Sequence, residues 1–233
     1  MITVVAHTHV GVVREVNEDS LVLAGLISAE SLSTPIRMSI DGDGLFAVVD
    51  GMGGHRGGLE ASQLVARELA LKGSDDPVER VKSANDLLYK VAGCRPELTG
   101  MGATIAGLQS VNGVAITFNV GDARVYHWSE GYLMLLTIDD RISPDSNVVT
   151  QSLGGAYRPT AIEVHTTECP MRGGDRFLIC SDGLSEVVPF DQIQEVLGDP
   201  SATVIAERLL QAALDEGAPD NVSLIVVEPA GDG

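Results

Sequence analysis

Helical and strand patterns arrive in blocks along this chain, and that order restricts its fold more than any other feature. Aliphatic and β-branched stretches at 2–8, 20–27 and 45–50 read as strands, and 28–44, which mixes Ser, Pro and Gly, reads as a connecting loop. Over 57–72, Leu59, Leu64, Val65, Leu69 and Leu71 recur at roughly helical spacing and stop at Gly73. A second helix, 77–92, starts behind Asp75 and Asp76 with Pro77 in its first turn. These two helices are expected to pack side by side. Strands resume at 102–109, 113–120, 123–128 and 131–137, with Asn112-Gly113 and Glu130-Gly131 as the hairpin turns of an antiparallel meander. Residues 138–155 read as a polar loop over a site or its rim. Strands at 161–168 and 175–180, helices near 189–197 and 201–215, and a last strand at 222–228 complete the order. Helices in pairs and strands in runs argue against alternating βαβ units and for an α+β fold, antiparallel sheets covered by segregated helices. At 233 residues the chain is long enough to bury one large core, and 1–233 is expected to form a single domain.

Three of the apolar stretches end alike. "LFAVVD" stops at Asp50 before Gly51, "RFLICSD" at Asp182 before Gly183, and "VAITFNVGD" at Asp122 after Gly121. Asp220-Asn221 enters the final strand, and Glu18-Asp19 stands just before the second. A single Asp-Gly is ordinarily a turn, as "DGDG" at 41–44 is expected to be. Five acidic elements at strand ends are a different matter: small neighbours let a ligand approach the backbone. Carboxylates gathered in one place repel one another unless cations neutralise them. Asp oxygens beside a bare backbone carbonyl suit hard divalent ions, Mg²⁺ or Mn²⁺.

The acidic balance has two readings, a solubilising surface or carboxylates gathered to hold cations. Fifteen Lys and Arg against 33 Asp and Glu leave a formal charge of −18, which repels phosphodiester backbones and anionic lipid, so neither nucleic acid nor membrane is an expected partner. Cys94, Cys169 and Cys180 are odd in number and widely spaced, which suggests reduced thiols rather than a disulfide framework or a zinc site. No signal-peptide pattern and no apolar run of membrane-spanning length is visible, so a cytoplasmic protein, or the cytoplasmic part of something larger, is expected.

Taken in order, the motifs resemble those of the metal-dependent serine/threonine protein phosphatases of type 2C, over nearly the whole chain. They are "GVVREVNEDS" at 11–20, "VVDGMGGHRGG" at 48–58 in the bacterial form, "GMGATIAGL" at 100–108, "NVGDARVYHW" at 119–128, "SLGG" at 152–155, "DRFLICSDGLSEVV" at 175–188 and "GAPDNVSLIVV" at 217–227. The resemblance implies two antiparallel sheets packed face to face with helix pairs outside. It implies that Asp50 bridges two metal ions with the Gly51 carbonyl completing one of them. Asp19, Asp182 and Asp220 would hold the other ion, Glu18 would act mainly through bound waters, and Asp122 with Asp182 would supply a third, weaker site. Arg14, five residues before Asp19, matches the family's phosphate-binding arginine, and a guanidinium fork suits phosphate oxygens. Asp50, Asp182 and Arg14 are thus the expected catalytic residues and Mn²⁺ or Mg²⁺ the cofactor. The implied reaction is hydrolysis of phosphoserine or phosphothreonine by a water bridging the two ions. Expected partners are phosphorylated proteins, a Ser/Thr kinase or its substrates among them, met by a monomer.

Two departures bear on activity. Met52 stands where several non-bacterial relatives carry a His thought to protonate the leaving alkoxide; His55 nearby reads first as a structural residue and second as a substitute acid, and a metal-bound water could do the task instead, while Ala123 in place of the usual Ser after Gly-Asp is a small change at a residue not expected to touch metal. After Leu-Thr the family shows Asp-His-Ser and then a flap; here Asp139-Asp140-Arg141 replaces the triplet and the flap is short or missing. Two alternatives stay open: a phosphatase-shaped module that binds a phosphoprotein without turnover, and an esterase for small phosphate esters.

Overall fold

In a computed structural model, which describes residues 1–52, 56–71, 75–143, 146 and 148–231 (Arg56 by its backbone only), the strands form two antiparallel sheets. The first holds β1 (Ile2–His9), β4 (Ile36–Ile40), β8 (Arg124–Ser129), β9 (Tyr132–Leu135), β12 (Arg176–Cys180) and β13 (Val222–Pro229), in the order β4-β1-β13-β12-β8-β9. The second holds β2 (Ser20–Leu23), β3 (Leu26–Ser28), β5 (Gly44–Met52), β6 (Gly102–Val111), β7 (Val114–Val120) and β11 (His165–Pro170), in the order β11-β7-β6-β5-β2-β3. The two-residue β10 (Leu153–Gly154) also pairs with β6. Helices α1 (Arg56–Ala70) and α2 (Pro77–Cys94) cover the second sheet; α3 (Asp182–Ser185), α4 (Phe190–Leu197) and α5 (Ala202–Asp215) cover the first. Among the described residues no helix is long and apolar enough to cross a membrane.

Alternation along the strands explains the layering. In β5, Leu45, Ala47 and Val49 pack under α1 and α2, while Phe46 and Val48 meet the other sheet. In β13, Val222, Leu224 and Val226 face α5 and its neighbours, while Ile225 and Val227 face inward. Both faces of the central strands are buried, which is why they read as unbroken apolar runs. Helix ends follow their local signals: Asp76 caps α2 by accepting from the Val78 N–H, and Ser201 caps α5 through Val204.

The structure corrects the sequence reading in four places. The stretch 20–27 is a hairpin, β2 and β3, turning at Ala24 and Gly25, both with positive φ. Within 28–44, Ile36–Ile40 is an edge strand on β1, alternating in exposure. The run 161–168 starts late, at His165, and ends at Pro170. The four strands from 102 to 137 are not one meander. The Asn112-Gly113 and Glu130-Gly131 turns are as expected, but β7 belongs to one sheet and β8 to the other. The chain changes sheets at Gly121-Asp122. Gly121 has φ +97°, and a Cβ there would stand 2.5 Å from the Thr104 side chain.

Candidate active site

The interface between the sheets is apolar through its middle and turns polar at one end. Along β2 the inward positions run Leu23, Leu21 and then Asp19; along β5, Phe46, Val48 and then Asp50. The β2–β5 register pairs Ser20 with Val49, so its continuation brings Asp19 opposite Asp50, and the two carboxyl groups share a hydrogen bond. Along β12 the inward residues are Phe177, Ile179 and Ser181, and along β13 Val227, Ile225 and Ser223. A buried polar layer results. Ser181 Oγ donates to Asp19 Oδ2 at 3.1 Å and accepts from the Ser223 N–H at 3.0 Å; Thr8 Oγ1 lies 2.7 Å from Ser223 Oγ; Asn17 Nδ2 donates to Thr8 Oγ1 at 2.8 Å.

Asn221 ties the acidic loop to this layer. Its Nδ2 donates to the carbonyls of Val10 and Val16, at 2.8 and 3.0 Å, and its Oδ1 accepts from the Glu18 N–H at 2.9 Å. Gly51 and Gly58 fit where nothing larger does. A Cβ on Gly51 would stand 2.7 Å from the Glu18 carbonyl and closer still to that of Gly58; one on Gly58 would stand 2.9 Å from Glu18 Oε1.

The charges are costly as they stand. Burial, followed by the neighbouring carboxylates, pushes Asp182 up to about 7. Burial also lifts Asp19 to about 7, against the pull of hydrogen bonds from Ser223 and Ser181. Asp50 lies well above the usual carboxylate range, by burial first and then by repulsion from Asp19, Asp182, Asp220 and Asp122. Asp122 is raised by burial, with Arg141 pulling it back.

Divalent cations fit this set. Asp19 Oδ1 and Asp182 Oδ1 are buried oxygens with no hydrogen-bond donor, and the glycine cradle brings bare backbone up to Glu18. Among the described residues no three His, Cys, Asp or Glu side chains are closed into a ready coordination shell, so the fit rests on coupled charge, those two oxygens and the cradle.

Arg14, on the exposed loop before Asn17, reaches Asp220 Oδ2 at 2.6 Å, which brings its guanidinium to the rim of the carboxylate group. Asp122 sits at the sheet-switching turn, and its Oδ2 meets Arg141 Nη2 at 2.9 Å. Met52 ends β5 and carries no exchangeable proton; His55 lies outside the described residues. The anchoring roles of Asn221, Ser181 and Ser223 leave no mark in the sequence, since hydroxyl and amide residues at strand ends carry no periodic signal. Nor do those of Arg141 and Glu186, although Glu186 stands four residues after Asp182, the spacing that puts two side chains on one helical face.

No family model matches the sequence. The serine/threonine protein phosphatase PstP of Mycobacterium tuberculosis is 34% identical over 205 residues, 79% of this chain; the chain spans 40% of the length of that relative. Its crystal structure superposes with a TM-score of 0.82 at 30% identity, covering 99% of this chain and 100% of that one. A second structure, the PstP catalytic domain in complex with two manganese ions, superposes at 0.79, also at 30% identity and with the same coverage. Similarity along the full length of a solved phosphatase domain, with the acidic strand ends meeting at one edge of the same sandwich, shows that this chain belongs to the type 2C family of serine/threonine protein phosphatases.

Proposed function

We propose that residues 1–233 form one catalytic domain that hydrolyses phosphoserine and phosphothreonine in proteins, with two Mn²⁺ or Mg²⁺ ions as cofactor. The observation that carries the reading is the meeting of strand ends at one end of the sandwich, where Asp19, Asp50 and Asp182 are raised by burial and by one another, with Asp220 among the repelling carboxylates. Glu18, Asp19, Asp50, the Gly51 carbonyl, Asp182 and Asp220 would hold the pair. When bound, the ions supply Lewis-acid charge to phosphoryl oxygens and make coordinated water acidic enough to act near neutral pH.

The chain's own residues do the rest. Arg14 is held by Asp220 at the rim, exposed on its other side, where its fork can take two oxygens of an incoming phosphoryl group. Asp220 orients that guanidinium through one hydrogen bond from Nη2. Asn221 fixes the loop carrying Arg14 and Glu18 to the strand carrying Asp220, so phosphate binder and acidic cluster keep one geometry. Met52 has no proton to give the departing alkoxide, so that proton comes from another group. Partners are phosphorylated proteins, with a Ser/Thr kinase and its targets as the natural counterparts of such an activity.

The test is phosphate release from a phosphothreonine peptide in Mn²⁺, in excess chelator, and by an Asp182→Asn variant in Mn²⁺. Release that needs the metal and falls at least a hundredfold in the variant is expected. Folded protein that binds Mn²⁺ and the peptide but releases nothing would make the chain a phosphoprotein-binding module. Faster release from a small aryl phosphate than from any phosphopeptide would shift the substrate to small esters.

A further inference from the structure

Asp122 and Asp182 are the residues that the family resemblance would give to a third, weaker cation, and in this chain the space between them is already filled. Arg141 enters it from the segment that replaces Asp-His-Ser. Its side chain is 5% exposed, its Nε donates to Asp122 Oδ2 at 3.0 Å, and its Nη2 lies 2.9 Å from the same oxygen, 2.5 Å from Glu186 Oε1 and 4.0 Å from Asp182 Oδ2. Asp182 and Glu186 lie four residues apart across the α3 turn, where the Glu186 N–H donates to the Asp182 carbonyl, so both reach the guanidinium from one side.

The placement is held by the two preceding residues. Asp139 takes Arg124 in a fork, Nε at 3.1 Å and Nη2 at 2.6 Å. Asp140 accepts from the Gly121 N–H at 2.8 Å and from Gln151 Nε2 at 2.9 Å, and meets His165 Nε2 at 2.9 Å, while its own N–H donates to the Gly121 carbonyl. A bridge between Arg141 and Val149 closes the short loop behind it. Three consecutive side chains thus point to three separate anchors, and the third lands among Asp122, Asp182 and Glu186.

We infer that Arg141 is a resident cation that takes the place of a third metal ion, so that Asp122 serves the site as an arginine partner and not as a metal ligand. A metal ion exchanges with solvent; a guanidinium carried by the chain, hydrogen-bonded to Asp122 and paired with Glu186, stays in place and charged at every working pH. The charge next to Asp182 is then independent of metal concentration. This inference rests on the two-ion reading above only for the number of ions in the native protein.

The experiment counts Mn²⁺ per folded chain by equilibrium dialysis, with the free-ion signal in electron paramagnetic resonance as a second readout. Native protein, Arg141→Ala, Asp122→Asn and the double variant are compared. Arg141→Ala should bind one more ion than native protein, more weakly than the others, and the double variant should lose that extra ion. Asp122→Asn alone should leave the native count unchanged. An Arg141→Ala protein that is folded by circular dichroism and binds no additional ion overturns the inference. So does an Asp122→Asn protein that binds one ion fewer than native, which decides the matter even if Arg141→Ala does not fold. A native count other than two, with the added ion still seen in Arg141→Ala, would refute the two-ion reading and support this one.

Discussion

Gly51 and Gly93 separate two reasons for having no side chain. At Gly51 an added Cβ runs into the backbone of Gly58 and Glu18, neither of which can move without displacing Asp50 or Glu18. Gly51→Ala is expected to cost about 3 kcal/mol or more, as overpacking against backbone does, and to weaken Mn²⁺ binding with it. At Gly93, in the last turn of α2, nothing stands within 4 Å. Gly93→Ala should therefore stabilise the protein by about 0.5–1 kcal/mol. Chemical denaturation of both variants checks the pair, and equal effects would refute the packing argument. Thiols sort by the same logic of surroundings. Cys180 is fully buried, which pushes its pKa up to about 12, whereas Cys94 is exposed. A thiol reagent should modify Cys94 fast in the native protein and leave Cys180 untouched until it unfolds; Cys94→Ser should remove the fast phase.

Among the elements, the loop from Val10 to Glu18 depends most on one partner. Asn221 makes three hydrogen bonds to it, and truncation would leave buried backbone groups without partners. Asn221→Ala is expected to lose about 1–3 kcal/mol of stability and to weaken Mn²⁺ binding, read by thermal melting and metal titration. An unchanged metal affinity would mean that the loop holds its shape unaided. What could be read from the sequence divides along similar lines. Turns that need positive φ, Asn112-Gly113 and Glu130-Gly131, announce themselves through residue type, and the acidic strand ends through repetition. The turn at Ala24-Gly25 hides in an aliphatic run, because Ala gives no turn signal and both flanking strands are apolar. The edge strand "IRMSI" hides among Ser, Pro and Gly because its outward face is solvent-exposed. The change of sheet at Gly121-Asp122 is invisible, since a hairpin and a crossing both read as Gly-Asp. Arg141 stands out in the sequence only as a departure from the family pattern, because an ion pair between residues 19 apart has no local period.

For the whole molecule, the raised carboxylates set how stability varies with pH. Asp19 and Asp182 hold their protons up to about 7 in the folded state but release them near 4 when unfolded. Between those values the folded state binds more protons, so metal-free stability falls as pH rises from about 4 to 7. Buried His7, with its pKa lowered, works the other way near pH 6 and is outnumbered. In chelator the melting temperature should drop between pH 5 and pH 8, and saturating Mn²⁺ should abolish most of the drop; a metal-free melt that rises over this range would contradict the coupled cluster. β13, the last strand among the described residues, lies in the middle of its sheet between β1 and β12, with Ile2 opposite Pro229. While a ribosome still holds residues 220–229, β1 and β12 have no strand to join them, and Asp19 lacks the layer that Ser223 and Asn221 complete. The nascent chain therefore assembles its acidic centre only once residues 220–229 have left the exit tunnel, and until then the first sheet offers two open apolar edges to whatever chaperone stands there.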